Sequence, residues 1–232
     1  MVSVMAGLVW WTGGFAAARE TPAVAERFLS RVEMPLRSYA GRRIMRARND
    51  RFRKEGWLEA AVTFRDSDGL TYRIIASGGS DYVLRRVLEP ALAGEADLWR
   101  RGEAQRFGLT EANYAFAGAP DDEESDGEAH ISVTPRRKHH LLVLGTLHLS
   151  PDGDLLRVEG RLSRNPSFWT SRVDIVRTYR RIRDLRVPVE LQTTAHVRIA
   201  GPSQMQVQYL YSAINGLPVG PEATEVAEVA EK

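Results

Sequence analysis

The chain has no cysteine. That excludes disulfide staples and thiolate metal sites, so the fold must be held by packing and polar pairing. At 232 residues a sizeable core is within reach without them, in one large domain or two small ones. A long apolar run is missing as well. The uncharged stretch Met1–Ala18 is short and broken by glycine, which excludes a confident membrane span. The catalytic signatures are missing too. "GGSDYV" (78–83) has no preceding GxG pattern and no P-loop lysine. The serines of "GRLSR" and "TSR" have no base at a recognisable spacing, and the carboxylates are scattered over polar positions. The histidines are His130, His139, His140, His148 and His196. Neighbours on a strand point to opposite faces, so His139 and His140 cannot share a metal. No enzyme activity, metal or cofactor is therefore expected.

What is present begins with an export-like leader. Met1–Ala18 ends in "AAA", the small-x-small pattern of a cleavage site, although no basic residue precedes the apolar run. The expectation is a signal peptide over 1–18, a mature chain from about Arg19, and a periplasmic location. The net charge of +2 conceals an uneven distribution. "APDDEESDGEA" (119–129) holds six acids, and the tail from Leu217 holds four acids and one lysine. Without those two segments 31 bases face 20 acids. Such a surplus suits an anionic partner, or simply a soluble surface whose field the acidic loop offsets. Nucleic acid is not expected as a partner. The low hydrophobicity of 119–129 predicts a disordered insertion, and 217–232 a disordered acidic tail.

The patterning between these segments predicts few helices and many strands. Residues 21–36 read as a helix with Ala23, Phe28, Leu29 and Val32 on one stripe. A second helix runs from Asp81 to about Gly102, capped by Ser80, with Val83, Val87, Leu88, Leu92 and Leu98 inward and a kink at Pro90. "DSDG" (66–69) marks a hairpin. After the acidic loop, strand-like segments follow one another through short turns, with clean alternation. Leu156, Val158, Gly160 and Leu162 oppose Arg157, Glu159 and Arg161; Met205, Val207, Tyr209 and Tyr211 oppose Gln204, Gln206 and Gln208. Such a sheet has one dry face that the helices must cover. The expected fold is α+β: a large curved antiparallel β-sheet, an incomplete β-barrel, wrapped around covering helices. Gly41, Gly145 and Gly160 fall on the dry face, where a strand could bend or a helix approach.

A curved dry face leaves a cleft where helices do not fill it, and apolar clefts bind apolar ligands. The expected lining is Met45, Trp169, Val173, Ile175, Leu191, Val197, Met205, Val207 and Tyr209, which would otherwise form the core. Two residues break the pattern. Arg177 alternates with Val173 and Ile175, and Arg43 with Tyr39, Gly41 and Met45. Three explanations are open for Arg177: a bulge turns it outward, it pairs with a buried carboxylate such as Asp81 or Glu33, or it meets an anionic or carbonyl headgroup at the cavity mouth.

The leader, the first amphipathic helix, a strand opening with "YAGRR" (39–43), the meander, and the closing hairpin "VPVELQTTAHVRIAGPSQMQVQYLYSAING" (187–216) together resemble the LolA-like superfamily of periplasmic lipoprotein and lipid carriers. The resemblance covers residues 22–216. It implies an incomplete barrel closed by helices, a cavity for lipid or lipoprotein acyl chains, membrane-surface or envelope-protein partners, and a non-catalytic carrier acting as a monomer. A regulatory module of the envelope, binding a partner protein through the same half-barrel, is the alternative.

Overall fold

The computed structural model describes residues 23–118 and 127–220. The expected leader, most of the acidic insertion and the tail beyond residue 220 lie outside the described residues. Eleven antiparallel strands form one sheet: β1 (Ser38–Asn49), β2 (Lys54–Arg65), β3 (Gly69–Gly79), β4 (Tyr114–Gly118), β5 (Ala129–Pro135), β6 (Val143–Leu149), β7 (Leu155–Leu162), β8 (Thr170–Ile182), β9 (Leu185–Val197), β10 (Gly201–Ile214) and β11 (Leu217–Pro218). The order is β3-β2-β1-β10-β9-β8-β7-β6-β5-β4, with β11 added to β10. The meander is therefore closed upon itself through β1 and β10, and the sheet stays open at β3 and β4. This is the α+β curved open sheet that the alternation predicts. Leu217 and Pro218, placed in the tail by composition, instead pair with Ile214 and Ala213.

Among the described residues, three helical segments accompany the sheet. Helix α1 is Ala23–Ser30, shorter than the predicted 21–36. Phe28 faces inward as expected, but Ala25 takes the inward place expected of Ala23, which is exposed, and Val32 lies beyond the helix and is 95% exposed. Helix α2 runs over 81–100: one turn at Asp81–Val83, a wide π turn at Leu84–Leu88, then Glu89–Arg100. Ser80 is its N-cap by backbone conformation, without a side-chain bond. Pro90 does not split the helix. The wide turn just before it, in which the Glu89 N–H bonds the Leu84 carbonyl, shifts the hydrogen-bonding register ahead of the proline. That shift leaves Val87 exposed and buries Val83, Leu88 and Leu92. Helix α3 is the single turn Glu103–Arg106.

Two hydrophobic clusters divide the dry face. In one, α2 supplies Leu88, Leu92 and Ala96 against Met45, Leu58, Val62, Phe64, Val207 and Tyr211. In the other, α1 places Ala25 and Phe28 against Tyr114, Ile131, Val133, Leu147, Leu149 and Val158. An eight-residue helix is marginal alone, and α1 is further tied down by charge. The chain just beyond it carries Arg31 and Glu33. Arg31 pairs with Asp154 in the β6–β7 turn. Arg181 spans Asp154 (Nε at 3.0 and 3.1 Å) and Glu33 (3.1 Å), while Arg186 lies 3.6 Å from Glu33. The Arg181 hydrogen bonds, with those of Arg31, hold the Asp154 carboxyl below the usual carboxylate value.

The glycines expected on the dry face serve strand against strand. Gly145 and Gly160 are cross-strand partners on β6 and β7. A Cβ on Gly145 would lie 2.0 Å from the Glu159 carbonyl oxygen, and one on Gly160 2.3 Å from that of Leu144. Here the backbones approach too closely for any side chain.

Two outcomes follow. Gly145→Ala must push β7 aside and should cost about 2 kcal/mol or more in chemical denaturation. Asp154→Asn should lower stability by about 1 kcal/mol at neutral pH. The folded carboxyl is depressed, so the stabilisation is present above the unfolded value near 3.8 and is lost as pH falls through the folded one. Unfolding curves of parent and variant should therefore converge once the pH falls below the folded value.

Candidate functional site

Arg43 lies within the α2 cluster, and Arg177 lies where the two clusters meet. Arg43 stands opposite Tyr209 on β10 and Ala60 on β2. Arg177 stands opposite Leu191 on β9 and Val158 on β7. Both positions belong to the dry face. The register shift in β8 falls between Thr178 and Tyr179, one residue beyond Arg177, so no bulge turns it outward. The carboxylate suggested by the sequence is also not its partner: Glu33 is taken by Arg181 and Arg186. The acid that faces both guanidiniums is Glu95, from α2.

Arg43 is only 1% exposed. Its Nη2 donates to the Tyr39 hydroxyl at 2.7 Å and to Glu95 Oε1 at 3.4 Å. Its guanidinium lies 4.1 Å from the centre of the Tyr209 ring and 5.3 Å from that of Tyr39, a cation–π sandwich. Its Nε and Nη1 are buried without an acceptor, and so is the Nε of Arg177. Burial opposes both charges; Glu95 and the tyrosines outweigh it for Arg43, and Tyr179, Tyr209 and Glu95 do so for Arg177, so both are held firmly cationic. Burial pushes the phenols of Tyr39 and Tyr209 up to about 12, with the arginines offsetting only part of that. The tyrosines therefore stay neutral. The seam holds two cations, one carboxylate that is 28% exposed, and three guanidinium N–H-bearing nitrogens that lack acceptors. Chemically it is an anion or carbonyl receptor of low polarity.

The structure sorts the other expected lining residues. Met45, Val207 and Tyr209 are buried in the α2 cluster, with Leu191 and Met205 packed at its margin. Val173 is buried; Ile175 and Val197 are half-buried. Trp169 is displaced from the group: β8 begins at Thr170, and the indole is 56% exposed, edge-on to Phe168. The register shift between Thr170 and Arg172 explains this, because alternation extrapolated back through a bulge assigns the wrong face.

Glu95 was not foreseen. Its signal in the sequence is its position: Leu88, Leu92, Glu95, Ala96 and Trp99 fall on one helical stripe, so a lone acid interrupts the apolar face. Tyr39 and Tyr179 complete the polar group, and only the tertiary fold reveals their neighbours.

Open space lies elsewhere. A cavity of about 800 Å³ at the β1–β2 end of the sheet is lined mainly by long polar side chains, among them Arg46, Arg48, Gln192 and Gln206, with Trp57 and Met205. Two smaller ones, about 430 and 350 Å³, share Leu144, Arg161 and Arg172. Ile175 lines the last, and neither Arg43 nor Arg177 lines any of the three.

The charge arrangement at the seam makes an asymmetric prediction. Glu95→Gln removes the carboxylate facing both guanidiniums and should cost about 3 kcal/mol. Arg43→Met removes a desolvated charge, leaves Glu95 partly hydrated and still within the electrostatic field of Arg177, and should change stability by no more than about 1 kcal/mol. Urea denaturation of the two variants checks the contrast.

No protein-family model matches the chain, and no curated protein matches it by sequence. Among solved structures it is similar to a DUF1329 family protein from Desulfovibrio piger, with 10% sequence identity and a TM-score of 0.30 over 80% of this chain and 86% of that one. A likeness this distant says nothing about what the chain binds.

Proposed function

We propose that this protein is an exported, non-catalytic carrier that binds a lipid or the acyl moiety of a lipoprotein, between the dry face of the sheet and its two helical covers. The observation that carries the reading is the pair Arg43 and Arg177. Both cations sit on an apolar face with N–H groups that have no acceptor, where a fold selected for stability alone would place aliphatic side chains. A carboxylate, phosphate or ester carbonyl would satisfy those donors, and its hydrocarbon would lie along Val173, Ile175, Leu191 and Met205. Entry requires α1 and α2 to part, because Met45, Val207 and Tyr209 are packed against α2. The LolA-like resemblance of the sequence agrees with this reading, with a periplasmic location and with handover at a membrane surface or to an envelope protein.

A second reading is favoured by a separate observation. Around the β3 edge, Trp57, Tyr72, Ile74, Ile75 and Tyr82 are all exposed. An open edge with apolar side chains is a template for pairing with another chain. A regulatory module of the envelope would use that edge to hold a partner protein.

Native mass spectrometry of the purified chain tests the first reading: one lipid should co-purify. Arg177→Leu should keep or raise stability by about 1 kcal/mol and lower lipid affinity by about ten- to a hundred-fold, the effect of losing one charge-assisted contact of roughly 1.5–3 kcal/mol. If the variant binds lipid as well as the parent, or neither binds any, the carrier reading fails.

A further inference from the structure

On the polar face, β5 and β6 bring together residues that the sequence separates. His130 and His148 are direct cross-strand partners, so their side chains share a face, with ring centroids 4.6 Å apart. Glu128 immediately precedes β5. One donor atom from each of Glu128, His130 and His148 can be chosen so that all lie within 4.8 Å of one another. His148 is 8% exposed, unusual for a histidine on the wet side of a sheet.

We propose that Glu128, His130 and His148 form a binding site for a divalent transition-metal ion of the zinc type. Two imidazoles and one carboxylate make a donor set of zinc sites, with a fourth position left for solvent or another ligand. With bonds of about 2.0 Å, a tetrahedral zinc holds its donors about 3.3 Å apart. Glu128 Oε2 already lies 3.3 Å from His148 Nδ1. The other ring nitrogen, Nε2, lies 3.5 Å from Glu159 Oε2. A carboxylate behind a histidine fixes its tautomer and orients it toward a metal.

Arg157 supplies the tautomer and the competing occupant. Its Nη2 lies 3.1 Å from His148 Nδ1. A guanidinium only donates, so Nδ1 accepts, and the imidazole proton is on Nε2, facing Glu159. The lone pair that would bind the metal is thus present and directed into the cluster, and the arginine caps it. The Arg157 side chain is 42% exposed, and its Nε makes no hydrogen bond, only a 3.8 Å ion pair with the exposed Glu159, so it can swing to solvent when a cation arrives. Closure of the site would fasten the start of β5 to β6. The pairing of His130 with His148 is set by the register of β6 against β5, which the sequence does not reveal.

The test uses the full chain, stripped with a chelator and titrated with zinc chloride by calorimetry, with magnesium and calcium chlorides as controls. The expected result is one zinc per chain, no response to either alkaline earth, and a raised thermal midpoint. His148→Ala and His130→Ala should each weaken zinc at least 100-fold. Glu159→Gln should weaken it about ten-fold, and Arg157→Met should strengthen it. Circular dichroism on each variant separates lost binding from lost folding; Arg157→Met keeps the test decisive if a histidine variant unfolds. Absence of zinc binding by the parent, or equal binding by the double histidine variant, overturns the proposal and leaves Arg157 as the permanent partner of His148.

Discussion

An open antiparallel sheet with one dry face must have that face covered, and here two short helical segments provide the cover. Neither is long enough to span eleven strands. Helix α2 covers the half built from β1, β2, β3 and β10, and α1 covers the half built from β4 to β7. Each makes its own cluster, and between them runs a seam along β8 and β9. The ion-pair group around Arg181 and Asp154, the wide turn in α2 and the closing of β1 on β10 all serve to keep the two covers in place over one continuous surface.

The seam is where the rules of a packed interior relax. Arg43, inside the α2 cluster, is compensated by two flanking phenol rings and by Glu95, which still meets water. Arg177, three strands away on β8, is supported by Tyr179, Tyr209 and the same carboxylate. The neutral tyrosines do two jobs: they offer aromatic faces to the cations, and they supply oxygen atoms without adding charge. What remains is a local excess of donors over acceptors on an apolar face, the feature on which the proposed carrier function rests.

The opposite face follows different physics. Its ladders of charged and amide side chains, such as Arg42 with Glu59 and Gln206 with Glu190, are hydrated pairs. They contribute little stability individually. Their value is in keeping the wet face wet and the register single, because a one-residue slip would bring every arginine to the core. The histidine cluster at the β5–β6 pair is the exception, since it is drawn together and partly buried.

Much of this was decided by the sequence alone. Period-two alternation determined the sheet and assigned Arg43, Val207 and Tyr209 to the dry face, because side-chain direction on a strand is a local property of the backbone. The turns determined antiparallel order, and the apolar stripes at Phe28 and Leu92 identified the two covers. Tertiary structure alone decided what local pattern does not encode. Bulges in β8 moved Trp169 to solvent while leaving Arg177 inside, since a bulge changes the count of residues without changing composition. A wide helical turn exposed Val87. Glu95, and not Glu33 or Asp81, met the arginines, and His130 met His148, because partners distant in the chain are chosen by register and packing, which only the assembled sheet defines.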